Sequence, residues 1–189
     1  MARTKLNPVF NTFRGKIGDL VFKRFGSSTI VARTPDVTGR VFTPTQLEAQ
    51  DRFRQAVQYG KLVMADPQAK ALYEAAAESR EQPLFSLMVA DFINEPTVDE
   101  IDLSGYTTQA GSRIMVRASD DFEVTGVGVS VINTTNETVI ETGAAVKSAE
   151  LARWVYTATV TVPPGTPVRI EASATDRPGH RTKKSETIN

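Results

Sequence analysis

The single histidine of the chain, His180, follows an acidic turn at residues 176–179, DRPG. A histidine beside an aspartate could serve as the base of a Ser-His-Asp hydrolase, provided that a nucleophile lies within hydrogen-bonding distance. A turn between two strands offers no frame for such a nucleophile, and the chain has no cysteine. We therefore interpret His180 as a turn residue and predict no catalytic residue and no enzymatic activity.

Four carboxylates fall on predicted loops of the C-terminal half: Asp120, Asp121 and Glu123 on one loop, and Asp176 on another. Ca²⁺ binds carboxylate oxygens that are gathered on loops. The spacing does not match an EF-hand loop, and without cysteine no thiolate site or disulfide can form. The sequence therefore predicts no metal site and no cofactor, and these carboxylates are interpreted as solvated turns.

Two glycines, Gly15 and Gly18, stand in the stretch RGKIGD at residues 14–19. Glycine-rich loops can bind phosphate through backbone N–H groups, but they need a Lys-Ser/Thr ending between a strand and a helix. Neither feature follows here. The two glycines are better explained by a sharp bend of the backbone, which glycine permits.

Positive charge is concentrated at the N-terminus. Residues 1–40 carry eight Lys/Arg against two Asp/Glu, a net charge of +6, whereas residues 41–96 and 97–189 each carry a net charge of −3. Cations interleaved with phenylalanines can contact a nucleic acid by charge and stacking. The candidate polyanion contacts are Arg3, Lys5, Arg14, Lys16, Lys23 and Arg24. Because the rest of the chain offers no second basic patch, nucleic-acid binding is the alternative and not the favoured function.

The elements that position these residues fall into three predicted segments: residues 1–42, 43–95 and 96–189. The first is a basic arm and a β-hairpin, because residues 19–25 alternate in polarity, residues 28–34 are rich in β-branched side chains, and Gly26-Ser27 supplies the turn. An isolated hairpin is only marginally stable in water. It must therefore pack against its own chain or against another one, and the sequence leaves both open.

Residues 43–95 are predicted to form three short helices. Thr43 and Pro44 mark the start of the first, and Asp66-Pro67 repeats this signal for the second. The third, residues 83–94, is apolar on nearly all sides and is expected to be buried. The residues of the first helix that follow helical spacing, and that are therefore expected to face a core, are Ala49, Phe53, Ala56, Val57, Gly60 and Met64.

Residues 96–189 change to the two-residue period of strands, with about seven runs at regular spacing, as in a sandwich of roughly 100 residues. Trp154 and Tyr156 alternate on one run, which places them in a core and not on an exposed sugar-binding face. The predicted fold class is α+β: an N-terminal β-hairpin with a short helical bundle, followed by an Ig-like antiparallel β-sandwich.

Two stretches resemble known families. Residues 168–184, VRIEASATDRPGHRTKK, resemble the last hairpin of bacterial immunoglobulin-like domains. This resemblance implies a sandwich that serves as a spacer, stalk or adhesion module. Residues 13–24, FRGKIGDLVFKR, and 43–57, TPTQLEAQDRFRQAV, resemble the start of uncharacterised bacterial proteins that pair a Gly-x-x-Gly hairpin with a helical segment. That second resemblance implies no catalytic residue.

The N-terminal segment contains more apolar side chains than a solvated arm should expose. Its predicted assembly interface consists of Val9, Phe10, Phe13, Ile17, Leu20, Phe22 and Ile30. Adding such a strand to the sheet of another subunit gives a contact that propagates when donor and acceptor surfaces differ. The sequence thus predicts a non-enzymatic structural subunit whose partner is itself, forming a filament or other polymer in a fibre, virion or surface assembly.

The alternative is a binding module, either for nucleic acid through the basic arm or for a protein or glycan through the Ig-like domain. The sequence has no secretory signal pattern and no apolar run long enough to span a membrane. We therefore expect a cytoplasmic or virion protein, or one exported by a non-classical route.

Overall fold

The computed structural model describes residues 2–3, 14–25, 28–36, 38–149 and 152–188. The chain divides into two compact units, Met1–Pro44 and Thr45–Asn189. The described part contains three helices and eleven strands, and every strand pairing in it is antiparallel. The predicted mixture of helix and sheet, with more strand than helix elements, is confirmed.

The N-terminal unit is a sheet of four short strands in the order β1-β4-β3-β2. The strands are β1 (Ala2–Arg3), β2 (Gly15–Ile17), β3 (Leu20–Phe25) and β4 (Ser28–Arg33). Strands β3 and β4 are the predicted hairpin. Gly18 has a φ of 59° between β2 and β3, a conformation that glycine adopts at little cost, which agrees with a bend and not a phosphate loop.

The three predicted helices are confirmed as α1 (Pro44–Ala65), α2 (Pro67–Ser79) and α3 (Leu84–Ile93). Asp66 caps α2, because its side chain accepts hydrogen bonds from the backbone nitrogens of Gln68 and Ala69 at 2.9 and 3.3 Å. Pro67 occupies the first helical position, where a missing N–H costs nothing. The helix boundaries are therefore set locally, by cap and proline chemistry.

The buried stripe expected along α1 is only partly correct. Ala56 and Gly60 are buried, but Ala49, Phe53 and Met64 are exposed. The reason is length: α1 has 22 residues and α3 has 10, which at 1.5 Å per residue gives about 33 and 15 Å. A helix of that length cannot be covered throughout by its short neighbours. The core of the helical segment consists of Val63, Tyr73, Ala77, Leu87 and Met88.

Seven strands follow the helices, as predicted. They are β5 (Thr97–Asp102), β6 (Arg113–Ser119), β7 (Gly126–Asn133), β8 (Thr138–Ser148), β9 (Arg153–Thr157), β10 (Val168–Thr175) and β11 (Arg181–Ile188). Their order is β11-β10-β7-β8-β9-β6-β5. Strand β8 is the longest of the seven, with 11 residues. Strand β11 stands at the end of the order, as its charged sequence predicts for an edge strand.

Strand β8 joins two halves of this β-domain, because its first part pairs with β7 and its last three residues pair with β9. Alternate side chains of β10 point into the core, where Val168, Ile170, Ala172 and Ala174 are fully buried. Side chains of β11 contact β5 and the residue before it, at the opposite end of the strand order. Lys184 Nζ donates to the Asp99 carbonyl at 2.6 Å, and Thr182 Oγ1 donates to the Pro96 carbonyl.

Throughout the ranges that the structure describes, no helix combines the length and the apolar character needed to cross a membrane.

Candidate functional site

The N-terminal sheet has two apolar faces. Directly paired residues share a face of a sheet, and the pairings are Ile17 with Leu20 and Phe22 with Val31. These four side chains therefore lie on one face. The apolar residues of the opposite face are Val21, Ile30 and Ala32. Of the predicted interface, Ile17, Leu20 and Phe22 thus lie together, and Ile30 lies on the other side.

In the part of this sheet that the structure describes, few side chains are buried. Among the residues of the N-terminal unit whose burial is described, only Thr29 is buried. Ile17 is 55% exposed and Leu20 is 37% exposed, while Phe22 and Ile30 are half-buried. The remaining predicted interface residues, Val9, Phe10 and Phe13, lie outside the described residues.

Cations also lie on both faces of the sheet. Lys16 and Lys23 pair with Val21 and Ile30 and share their face, whereas Arg24 pairs with Thr29 on the other. Arg14, at the start of β2, is exposed like these three. Of the other predicted polyanion contacts, Lys5 and the side chain of Arg3 lie outside the described residues. The described cations therefore form no single-sided basic patch.

His180 is held by Asp176 in the turn between β10 and β11. The buried carboxylate of Asp176 accepts hydrogen bonds from the backbone nitrogens of Gly179 and His180 at 2.7 and 2.6 Å. Its second oxygen lies 2.9 Å from His180 Nδ1, and the rings of His180 and Phe92 pack in a T-shaped arrangement with their centres 4.9 Å apart. Within the described ranges, no serine or threonine hydroxyl bonds to this ring. The hydrogen bonds between Asp176 and His180 stabilise a tight turn.

A polar cluster joins α1, α2 and α3 to two loops of the β-domain; we call it the helix–β joint, made of Tyr59, Tyr73, Asp91, Asp120 and Asp176. The Tyr59 and Tyr73 hydroxyls are 2.8 Å apart, and the Tyr73 hydroxyl donates to Asp91. Asp91 is completely buried. Sequence reasoning missed Asp91, although it is the one charged residue within the apolar sequence of α3, a signal that could have been used.

The loop carboxylates that were weighed as Ca²⁺ ligands separate into different contacts. Asp120 lies beside Asp91 and Asp176 lies near it, but Asp121 accepts from Asn94 through its side chain. Glu123 accepts from Arg177 Nη2 at 2.8 Å. The described part of the chain contains no group of three or more His, Asp or Glu side chains that could hold a metal ion.

A third buried carboxylate, Glu141 on β8, was not singled out from the sequence. Its Oε2 accepts from the Tyr156 hydroxyl at 3.0 Å and from the Thr159 backbone nitrogen and hydroxyl, both at 2.8 Å. Burial, followed by the hydrogen bond to Glu141, raises the pKa of Tyr156 to about 12. Glu141 thus connects β8 by hydrogen bonds to Tyr156 near the end of β9 and to Thr159 just after it.

The aromatic pair of β9 forms no exposed platform for a sugar. Tyr156 is buried, as expected for a core residue. Trp154 is half-buried, packs against the same core, and has Lys147 Nζ at 5.8 Å from its ring centre. A groove of about 370 Å³ on the outer face of β7, β8, β10 and β11 is lined mainly by small residues and by Glu171, Arg181 and Lys183. Its lining contains no aromatic side chain.

Comparison with known proteins leaves the family of the chain open. No family model and no curated protein sequence matches it. Two solved structures are similar to about half of the chain. An engineered protein is 20% identical, with a TM-score of 0.35 over 50% of this chain, which spans about 20% of that protein's length. CopC from Methylosinus trichosporium OB3b is 15% identical, with a TM-score of 0.35 over 49% of this chain and 89% of its own. At these scores neither likeness bears on function.

Proposed function

We propose that this protein is a non-enzymatic structural subunit that self-assembles through its N-terminal sheet into a filament or other polymer. The observation that carries the proposal is the exposure of apolar side chains in the described part of that sheet, such as Ile17 at 55% and Leu20 at 37%. Only one buried residue is found in its described part, and both faces carry apolar side chains. Small sheets of this kind need a hydrophobic partner for stability.

The second support is the distribution of charge. The N-terminal 40 residues have a net charge of +6, and each of the two following segments has a net charge of −3. Opposite potentials on one subunit favour head-to-tail contacts between copies. Such heterologous contacts propagate into a filament unless they close into a ring.

We further infer that residues 96–189 form an Ig-like sandwich in which β8 crosses from one layer to the other. The pairing of β8 with both β7 and β9 supports this, and so does the resemblance of residues 168–184 to the last hairpin of bacterial immunoglobulin-like domains. A crystal structure in which the seven strands form one open layer would contradict the inference.

A test of the assembly proposal compares variants of the full chain by sedimentation velocity and negative-stain electron microscopy at low and physiological salt. The double variant Ile17→Ser/Leu20→Ser removes two paired, exposed apolar side chains without changing charge. We expect it to shift the population from polymer to monomer. The matched control is Val146→Ser, at an exposed apolar position of β8, which should assemble like the wild type.

The alternative, binding of a nucleic acid or other polyanion, is favoured by one observation: Lys16, Lys23 and Arg24 are exposed. The variant Lys16→Gln/Lys23→Gln removes charge and leaves the apolar pair intact. Loss of salt-sensitive binding to single-stranded DNA in this variant would favour the alternative, because each lost phosphate contact reduces the salt dependence. A wild-type chain that is monomeric at every salt concentration would refute self-assembly.

A further inference from the structure

The helix–β joint contains two neighbouring carboxyl groups whose hydrogen bonding is incomplete. Asp91 Oδ2 accepts from the Tyr73 hydroxyl. Asp120 Oδ2 accepts from the backbone nitrogens of Phe122 and Glu123 at 3.2 and 3.0 Å. The other oxygen of each carboxyl, Asp91 Oδ1 and Asp120 Oδ1, is buried and has no donor.

The side chain of Asp120 is a hydrogen-bond partner of Asp91. A proton on Asp91 can therefore be donated to Asp120, which supplies a donor that the two carboxyls otherwise lack. A buried acceptor without a donor destabilises the fold, and two carboxylates that share a site keep one proton because their negative charges repel each other. The geometry thus describes an acid pair bridged by a single proton.

The groups that act most strongly on Asp91 in the described part of the chain are Tyr73, Asp120 and Asp176, and none of these is a cation. The groups that face the pair are Tyr59 from α1, Tyr73 from α2, Asp120 from the loop after β6, and Asp176, Arg177 and His180 from the turn after β10. The Asp176 carboxylate is hydrogen-bonded to the Gly179 backbone nitrogen in its own turn and to the His180 ring. Arg177, the permanent cation, donates to Glu123 at 2.8 Å and lies over the Phe122 ring.

The pair lies where the two parts of the larger unit meet. Phe122, from the loop after β6, packs into the helical core and stacks on Tyr73 with ring centres 4.0 Å apart. Asn94 and Arg80 bond to Asp121 in the same loop. Contact between the helices and this loop therefore depends on the few residues that surround the acid pair.

We propose that Asp91 and Asp120 form a proton-controlled latch, which holds the three helices against the β-domain while one proton is shared and loosens when both carboxyls are ionised. Burial is the main reason that the pKa of Asp91 is raised to about 7. A carboxyl whose pKa is higher in the folded state than its unfolded value of about 3.9 stabilises the fold most at low pH. That stabilisation is lost as the pH rises through about 7.

The test measures unfolding of the full chain by urea between about pH 4 and 8, with circular dichroism at 222 nm for the helices and fluorescence of the single tryptophan, Trp154, for the β-domain. The variant Asp91→Asn keeps the shape of the carboxyl, stays neutral, and can donate to Asp120. We expect the unfolding constant of the wild type, relative to this variant, to rise by up to about tenfold per pH unit between about pH 4 and 7.

A matched control separates the latch from His180, whose ring contacts Phe92 of α3. His180→Gln should keep the pH slope, because Asp91 and Asp120 are unchanged. At pH 8 the wild-type helices should unfold at lower urea than the β-domain, and at pH 5 the two transitions should coincide. Coincident transitions at both pH values, or an Asp91→Asn variant with the slope of the wild type, would overturn the proposal.

Two further measurements need no variant. The carboxyl ¹³C resonance of Asp91 in the wild-type chain should titrate with a midpoint near 7, and a midpoint below about 5 would overturn the latch even if Asp91→Asn fails to fold. Millimolar Ca²⁺ should leave the stability at pH 8 unchanged. Stabilisation by Ca²⁺ would instead indicate that a cation, and not a proton, bridges the pair. None of these outcomes depends on self-assembly.

Discussion

Gly143 on β8 provides the sharpest test of how the β-domain is packed. A Cβ atom built at this position would lie 2.8 Å from Tyr156 Cε2 and 3.4 Å from the Tyr156 hydroxyl. The ring is almost fully buried, and its hydroxyl donates to Glu141 Oε2 at 3.0 Å. Because the ring cannot move outward without lengthening this bond, Gly143→Ala should disturb both the packing and the hydrogen bond.

The expected cost can be worked out from these contacts. Overpacking a filled core costs about 1–3 kcal/mol, and a hydrogen bond to a charged group contributes about 1.5–3 kcal/mol. In the absence of a clash, replacing glycine by alanine in a strand stabilises the fold by about 0.5–1 kcal/mol. We expect Gly143→Ala to lower the free energy of unfolding by about 2–4 kcal/mol.

The assay is urea unfolding of the full chain, followed by the fluorescence of Trp154, which lies on the same strand as Tyr156. The matched control is Gly126→Ala on β7, where an added Cβ atom meets nothing within 4 Å. That variant should stay within about 0.5 kcal/mol of the wild type. Since Tyr156→Phe already removes the hydrogen bond, Gly143→Ala should cost about 1.5 kcal/mol less in the Phe background. Equal stability of the two glycine variants would refute the reasoning.

Two further predictions concern the helices. Leu87→Ala, at a position only 2% exposed, should lower the free energy of unfolding by about 2–5 kcal/mol. The control Phe53→Ala, at a position 54% exposed, should change it by less than about 1 kcal/mol. Urea unfolding followed by circular dichroism at 222 nm measures both variants, and a large effect of Phe53→Ala would show that this face of α1 is covered. Asp66→Ala removes the cap of α2 and should cost about 1 kcal/mol in the same assay, while Asp66→Asn, which still accepts from the backbone, should cost much less.

Local signals in the sequence were sufficient to place most elements. Asp66-Pro67 and Thr43-Pro44 mark helix starts through cap and proline chemistry, and the two-residue alternation of residues such as Val168 and Ile170 marks strands. These signals depend on the backbone preferences and polarity of neighbouring residues. Such signals do not show which part of a helix is covered by neighbouring elements. For this reason the helical spacing placed Phe53 in the core, whereas the structure has it exposed.

For the candidate sites, too, some features could be predicted from local sequence and others required the folded structure. The alternation along β3 follows from the hairpin that the sequence predicts. The pairing of Ile17 with Leu20 belongs to β2, a strand that the sequence did not predict. The placement of Ile30 on the opposite face needed the register of β4. His180 was correctly placed in a turn, and its close contact with the Asp176 carboxylate required the folded turn.

What the sequence by itself determined is the order and kind of the elements, the absence of cysteine chemistry and the concentration of positive charge at the N-terminus, because each depends on residue types and their local spacing. Only the tertiary structure decided that Asp91 and Asp120, 29 positions apart in the numbering, meet in a buried joint. A hydrogen bond between distant residues is set by the packing of α3 against a loop of the β-domain, and no local pattern encodes that distance.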